Sequence, residues 1–383
     1  MIKPSNKLNN LATSVFSELA AKKNEKLRQG QDMIDLSIGS PDSPPPAFVK
    51  EHLAQSVLRD DQYGYAINST DTFNEAVCHY YKQRFDVEVA TDEVLQLIGS
   101  QDGLAHIALA YLDKGDVIIA PDPGYPIYSA CAHIAGAELY QVPVNESNNF
   151  KPSLDEIPAD IKKRAKIMIF NYPGNPTSAL ADQTYFEEIV EFGLTHNILV
   201  IHDFAYCELI FDNQKPLSLL AVQDAKKTAI EFNSLSKSFN MAGARIGYVI
   251  GDPTLLQPLA TIKSHLDYGV FHPIQSAAAA ALTSDYQFLD EHRKTYEKRR
   301  NIFVKELHTQ GWSVRTPQGG MFVWAKTPQQ YTSLDFSLEA IEKGVIVTPG
   351  HAFGSEGEGY VRIALVQEEQ RLQEAAKRLA LLL

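Results

Sequence analysis

Lys237 is the residue with the most chemical promise. It lies in Asn233-Ser234-Leu235-Ser236-Lys237-Ser238, between the apolar runs Ala229–Phe232 and Ile246–Ile250. A lysine between two buried strands is badly placed as a solvated surface charge. An amine whose surroundings favour its neutral form can condense with a carbonyl to a Schiff base. The hydroxyls of Ser234 and Ser236 and the guanidinium of Arg245 together suit a phosphate. A polar loop on the lip of a crevice is the plainer reading of the same stretch. Asp203, in Ile201-His202-Asp203-Phe204-Ala205-Tyr206, follows another apolar run. A carboxylate at the C-terminal end of a buried strand stands where open α/β sheets bind ligands. There it can pair with a cationic ring nitrogen while Tyr206 donates to a phenolate-like oxygen. Taken alone, Asp203 reads equally well as a helix cap.

Four further stretches repeat the pattern of strand, turn and polar group. Ile98-Gly99-Ser100-Gln101-Asp102-Gly103 offers backbone N–H groups at a helix start, suited to phosphate, although Ser100 is also an ordinary cap. It matches neither GxGxxG nor a Walker sequence, so no nucleotide is indicated. In Asn171-Tyr172-Pro173-Gly174-Asn175-Pro176-Thr177, prolines and glycine stiffen the chain around the Asn175 amide. Tyr125, in Pro123-Gly124-Tyr125-Pro126, can stack on a flat ring or serve as a core aromatic. Arg362 is the single charge in Tyr360-Val361-Arg362-Ile363-Ala364. Buried arginine is rare without a partner, so Arg362 reads as a clamp on a substrate carboxylate or as half of an internal ion pair.

The elements that must position these groups follow from hydrophobic period. Val94–Ile98, Val117–Ala120, Ile167–Phe170, Leu199–His202, Ala229–Phe232 and Ile246–Ile250 read as short strands, apolar on both faces as buried parallel strands are. Helical patterns lie over Asp102–Leu112, Tyr125–Ala135 and Thr184–Thr195, so the middle of the chain reads as βαβ units. The ends differ: a helix over Leu11–Leu27, a strand at Met33–Ile38, a long charged helix at Asp285–Leu307, strands around Val314, Met321–Ala325, Val345–Val347 and Tyr360–Leu365, and helices at Ser337–Lys343 and Glu368–Leu382. The fold class expected is α/β, with residues 46–280 as a large domain around a mostly parallel doubly wound sheet. Residues 1–45 and 281–383 are expected to form a smaller α+β domain. The length of 383 residues accommodates two such domains.

Composition removes other classes. A net charge of -12 and the lack of any basic run argue against nucleic acid, and no apolar run approaches a membrane span. Three widely spaced cysteines, Cys78, Cys131 and Cys207, fit reduced thiols better than a disulfide framework, and no spacing suggests a metal site. The expectation is a cytoplasmic protein without a metal.

Taken together and in this order, the six stretches resemble the class I/II pyridoxal-phosphate aminotransferases of the aspartate aminotransferase fold, over Ile34 to Leu365. The resemblance implies pyridoxal 5'-phosphate as cofactor and Lys237 as the Schiff-base lysine. By the same resemblance Ser234, Ser236, Arg245 and the Ser100–Gln101 backbone hold the phosphate. Asp203 pairs with the ring nitrogen, Tyr206 and Asn175 with the phenolic oxygen, and Tyr125 stacks on the ring. Lys237, Asp203 and Tyr206 are the implied catalytic set. Arg362, helped by Asn175 and the Gly39 backbone, takes the substrate α-carboxylate. Tyr63, in Tyr63-Gly64-Tyr65, resembles the tyrosine that reaches the neighbouring subunit's phosphate, which implies a homodimer with shared sites.

Ile38-Gly39-Ser40-Pro41-Asp42 and His265-Leu266-Asp267-Tyr268-Gly269-Val270-Phe271-His272-Pro273-Ile274-Gln275 are similar to the LL-diaminopimelate and glutamate–pyruvate (alanine) subgroup. Gln101 departs from a common lysine, Ala244 from a common tryptophan and Ser178 from a usual glycine. The implied reaction is a ping-pong transfer of an α-amino group to a 2-oxo acid, with LL-diaminopimelate or alanine/glutamate as substrate. Aspartate-type and methionine/aromatic-type aminotransferases, and a pyridoxal-phosphate C–S lyase, are the alternatives. An amino-acid sensor is disfavoured by the lack of a basic module.

Overall fold

The computed structural model describes residues 2–3, 5, 7–8, 11 and 15–383. Twelve strands are present among these residues: β1 Ile34–Asp35, β2 Val94–Leu97, β3 Val117–Asp122, β4 Glu138–Pro143, β5 Ala165–Asn171, β6 Leu199–Asp203, β7 Ala229–Ser234, β8 Gly247–Gly251, β9 Phe322–Lys326, β10 Val345–Ile346, β11 Thr348–Pro349 and β12 Tyr360–Ala364. The main sheet has the order β2-β8-β7-β6-β5-β3-β4. Strands β7, β6, β5, β3 and β4 pair in parallel, and β8 pairs antiparallel with both β7 and β2. Six of the seven strands therefore point one way.

The reversed β8 departs from the all-parallel reading of its segment, and the connection explains it. Only the four-residue helix Leu235–Ser238 and a turn at Ala242–Ala244 separate β7 from β8. A parallel crossover needs a longer excursion, generally with a full helix. The edge strand β4 has no counterpart in the hydrophobic pattern. Its residues alternate between exposed and half-buried except Val142, so polar groups interrupt the apolar run that marks a central strand.

Apolar clusters cover both faces of the sheet. One gathers Phe73, Tyr80, Tyr81, Phe170, Phe186, Phe204 and Tyr248, and the other Leu104, Ile107, Cys131, Ile169, Ile201 and Phe232. The helix Ser100–Tyr111 lies against the second of these, and Gly103 lets it come close: a Cβ there would meet Leu97 Cδ1 at 2.8 Å.

The second region is built on the antiparallel sheet β11-β12-β9 and the parallel pair β1-β10. The helices Gln287–Thr309, Ser333–Glu342 and Glu369–Ala380 pack with it around Phe303, Leu307, Trp312, Phe336, Ile363 and Leu372. Val314 is buried but lies outside any strand, and Met33–Ile38 contributes only the two residues of β1. The first helix spans Val15–Arg28; residues 12–14 of the expected Leu11–Leu27 helix lie outside the described residues. No helix among the described residues is long and apolar enough to cross a membrane.

The parallel strands end along one edge, where open α/β sheets bind ligands. Asp122, Asn171, Asp203 and Ser234 are the last residues of β3, β5, β6 and β7. Because β8 runs backwards, its beginning reaches the same edge, and with it Arg245.

Candidate active site

A cavity of about 650 Å³ opens over that edge. Gly39, Ser100, Gln101, Tyr125, Asn175 and Asp203 line it, as do Tyr206, Ser234, Ser236, Lys237, Arg245 and Arg362. Every site residue expected from the sequence is thus brought together except Tyr63. That ring is 64% exposed, its hydroxyl donates to the Val57 carbonyl at 2.7 Å, and it packs edge-on against Phe271 away from the cavity.

Lys237 sits in the short helix capped by Ser234, whose Oγ accepts from the Ser236 N–H at 3.1 Å. The Lys237 Nζ donates to the Gly39 carbonyl at 2.6 Å. Burial, then the charges of Arg362 and Arg245, holds its pKa down to about 8. Desolvation and neighbouring cations both disfavour an ammonium, which is what an amine nucleophile requires.

Asp203 is buried, and its Oδ2 accepts from the Tyr128 hydroxyl at 2.8 Å. Its Oδ1 is buried with no partner among the described residues. Burial raises its pKa, against the hydrogen bond from Tyr128. An orphaned buried carboxylate oxygen on the cavity wall is costly unless a ligand donor meets it. Tyr206 is buried beside it, packed edge-on against Phe322, with burial pushing its hydroxyl pKa up. Tyr125 donates to Gln101 Oε1 at 2.9 Å and has one face over the cavity.

For Arg362 the sequence left open a carboxylate clamp or an internal ion pair. The side chain makes no ion pair with any carboxylate among the described residues. Its Nη1 donates to Asn175 Oδ1 at 3.0 Å, and its Nη2 to the Ser37 carbonyl at 2.6 Å and Thr348 Oγ1 at 3.4 Å. Its Nε is buried without a partner among the described residues, and burial holds its pKa down to about 10. The guanidinium lies between the rings of Phe322, 4.3 Å from the centroid, and Phe353, 4.7 Å. A buried cation held only by neutral groups is matched to an anion from outside. Asn175 is itself fixed: its N–H donates to Asn171 Oδ1 at 2.6 Å, and Asn171 Nδ2 donates to the Asp203 carbonyl at 2.6 Å.

The remaining cation, Arg245, adopts φ +53° and stands over the start of the helix Ser100–Tyr111. Gly99 adopts φ +75°, a conformation strained for any residue with a side chain, and a Cβ there would also press on the Arg245 guanidinium. Free N–H groups at the helix start, two serine hydroxyls and a guanidinium thus converge on one corner, a cup for a phosphate.

Tyr128 and Asn171 were not anticipated. Asn171 had the signal used for Asp203, a polar residue ending an apolar strand. Tyr128 lay inside the helical pattern Tyr125–Ala135, where nothing set it apart.

The model of the family described as "Aminotransferase class I and II" matches residues 31–379. An LL-diaminopimelate aminotransferase of Moorella thermoacetica is 41% identical over 376 residues, 97% of this chain and 96% of that protein. Among solved structures, substrate-bound BacF from Bacillus subtilis is similar with a TM-score of 0.97 and 34% identity, covering 100% of this chain and 98% of that one. A double mutant of the Thermus thermophilus aspartate aminotransferase superposes with a TM-score of 0.94 at 25% identity, covering 100% of both chains.

Proposed function

We propose a specific reaction for a chain that belongs to the aminotransferase class I and II family and is therefore a transferase: it moves the α-amino group of an amino acid to a 2-oxo acid, using pyridoxal 5'-phosphate. The observation that carries this reading is one cavity holding a lysine of lowered pKa, an orphaned carboxylate oxygen and a buried arginine without an anion. The donor set fits the cofactor. Asp203 Oδ1 supplies an acceptor for a protonated ring nitrogen, and the corner formed by Ser100, Gln101, Ser234, Ser236 and Arg245 suits its phosphate. Tyr125 would cover one ring face. Tyr206 and the Asn175 NH₂, left free because the amide oxygen binds Arg362, would donate to the phenolic oxygen. When bound, the cofactor supplies the electron sink that stabilises negative charge at the substrate Cα.

This chain's residues do the rest. Lys237 is the amine that would hold the cofactor, and once free it would take the proton from the substrate Cα and deliver it to the cofactor carbon that carries the amino group away. Asp203 keeps a proton on the ring nitrogen, and Arg362 fixes the α-carboxylate with its planar fork. The two oxo acids use one site in turn, so the kinetics are ping-pong.

LL-diaminopimelate is our first choice of donor, supported by the relative of that name, with alanine and glutamate next. We further propose a cytoplasmic homodimer in which Tyr63 serves the neighbouring site. Residues 46–280 would form one domain, and residues 1–45 with 281–383 the other. The separate apolar clusters support that division, although Tyr206, Leu209 and Phe211 of the larger unit reach into the second cluster.

The test is a visible-spectrum titration of the cofactor-loaded protein, without acceptor, using LL-diaminopimelate, alanine, glutamate, aspartate and methionine. Conversion of the bound cofactor to its aminated form, with release of the matching 2-oxo acid, is expected for the true donors. With cystathionine added to the panel, release of pyruvate, ammonia and a thiol from it would make the protein a lyase instead.

A further inference from the structure

Asp122 ends β3 at the ligand-binding edge of the sheet and is buried, yet it does not line the cavity. Its carboxylate is spent on a single loop. Oδ2 accepts from the Ser355 N–H at 3.1 Å and the Ser355 hydroxyl at 2.7 Å, and Oδ1 accepts from the Glu356 N–H at 3.2 Å. Two residues along, the Gly124 N–H donates to the Phe353 carbonyl at 2.8 Å. Gly354, between these anchors, has φ +131°, and any Cβ there would collide with Asp122 Oδ1. The loop 350–357 is thereby pinned to the main sheet through two backbone N–H groups and a hydroxyl, donors that a carboxylate can satisfy together.

The pinned loop carries Phe353, whose ring backs the Arg362 guanidinium opposite Phe322. Phe353 also packs edge-on against Trp324, the register partner of Arg362 in β9. Since Arg362 has no carboxylate of its own, three neutral acceptors and these two rings set its plane. A bidentate grip on a carboxylate depends on that plane, because both N–H groups must point along it.

We propose that Asp122 is a positioning residue for substrate binding: by tying Ser355 and Glu356 to the sheet it seats Phe353 and fixes the plane in which Arg362 receives the α-carboxylate. The proposal rests on the reading of Arg362 as the α-carboxylate arginine. It assigns Asp122 a role in affinity for the carboxylate, not in the proton transfer that follows.

The test uses Asp122→Asn in the cofactor-loaded protein, with three readouts: steady-state kinetics with alanine, calorimetric affinity for propionate, and the slow half-reaction of propylamine, which has no carboxylate. The amide presents an NH₂ to groups that are themselves donors. KM for alanine and the propionate dissociation constant are expected to rise about tenfold, with kcat within about threefold. Propylamine is expected to react as in the parent. Gly354→Ala and Ser355→Ala, which disturb the same tie from the loop side, should shift the same two constants and stand in if Asp122→Asn does not fold. Unchanged propionate affinity in the folded variants overturns the proposal, as does an equal loss with propylamine. Arg362→Lys is run in parallel. If it leaves propionate affinity unchanged, the reading of Arg362 fails and the proposal falls with it; if only Arg362→Lys weakens propionate, Asp122 alone is refuted.

Discussion

Lys237 is the residue where sequence, burial and reactivity meet. Its pKa of about 8, set first by burial and then by Arg362 and Arg245, gives a sharp expectation for the protein freed of cofactor. The neutral amine grows through pH 8, whereas exposed lysines gain it near about 10.4. Reductive labelling by an aldehyde should therefore be selective for Lys237, with a midpoint near pH 8; a midpoint near that of surface lysines would contradict the burial argument. The sign for stability follows from linkage. Between pH 8 and the unfolded value the unfolded chain binds more protons, so this group's cost to the fold is full below pH 8 and fades as pH rises. Lys237, Asp203 and Arg362 were legible because each is a polar group set against an apolar strand. Tyr128 and Asp122 were not. Their importance lies in what they bond, Asp203 and the 350–357 loop, and those partners are 75 and 233 residues away.

At the scale of elements, the reversed β8 is the feature that composes the phosphate corner. Ser234 pairs in register with Gly247, so the end of β7 and the start of β8 hold Lys237 and Arg245 on one side of a single turn. Gly247 also lies against the helix start: a Cβ would sit 2.7 Å from the Asn233 carbonyl and 2.9 Å from the Ser100 N–H. Gly247→Ala should weaken cofactor binding by displacing Ser100, and lower stability by about 1–3 kcal/mol as backbone is forced apart. Cofactor titration and thermal melting measure the two effects, and an alanine variant that binds normally would show that the helix start is free to move. The central strands could be read from hydrophobic runs because both of their faces are covered. The direction of β8 shows only in its short connection to β7, since a strand's own residues carry no sign of which way its neighbours run. The edge strand β4 escaped for the opposite reason, its pattern diluted by solvent on one side.

At the scale of the whole molecule, the exposed aromatic group Tyr63, Tyr65, Tyr268 and Phe271 is out of keeping with a surface that faces only water. If it meets a second copy and Tyr63 serves that copy's site, two separately crippled chains should repair one another. Lys237→Ala and Tyr63→Ala homodimers are each expected to be weak or inactive. Unfolded and refolded together, half the molecules are mixed, and each mixed dimer has one intact site, so about one quarter of parent activity should return. No recovery above the sum of the two alone would place Tyr63 outside the neighbouring site.

Arg362 has a consequence for the resting protein as well. A fold that buries a guanidinium among neutral groups keeps an unpaid charge in its interior until an acid arrives. Any carboxylate that enters, whether a metabolite or the acetate of a storage buffer, then acts as a stabiliser of the native state. At a hundred times its dissociation constant such a ligand adds about 2.7 kcal/mol. The melting temperature should climb with acetate and not with chloride at equal ionic strength. Arg362→Met should melt higher than the parent in chloride and ignore acetate altogether. The enzyme would thus hold its full stability only in the company of the acids it works on.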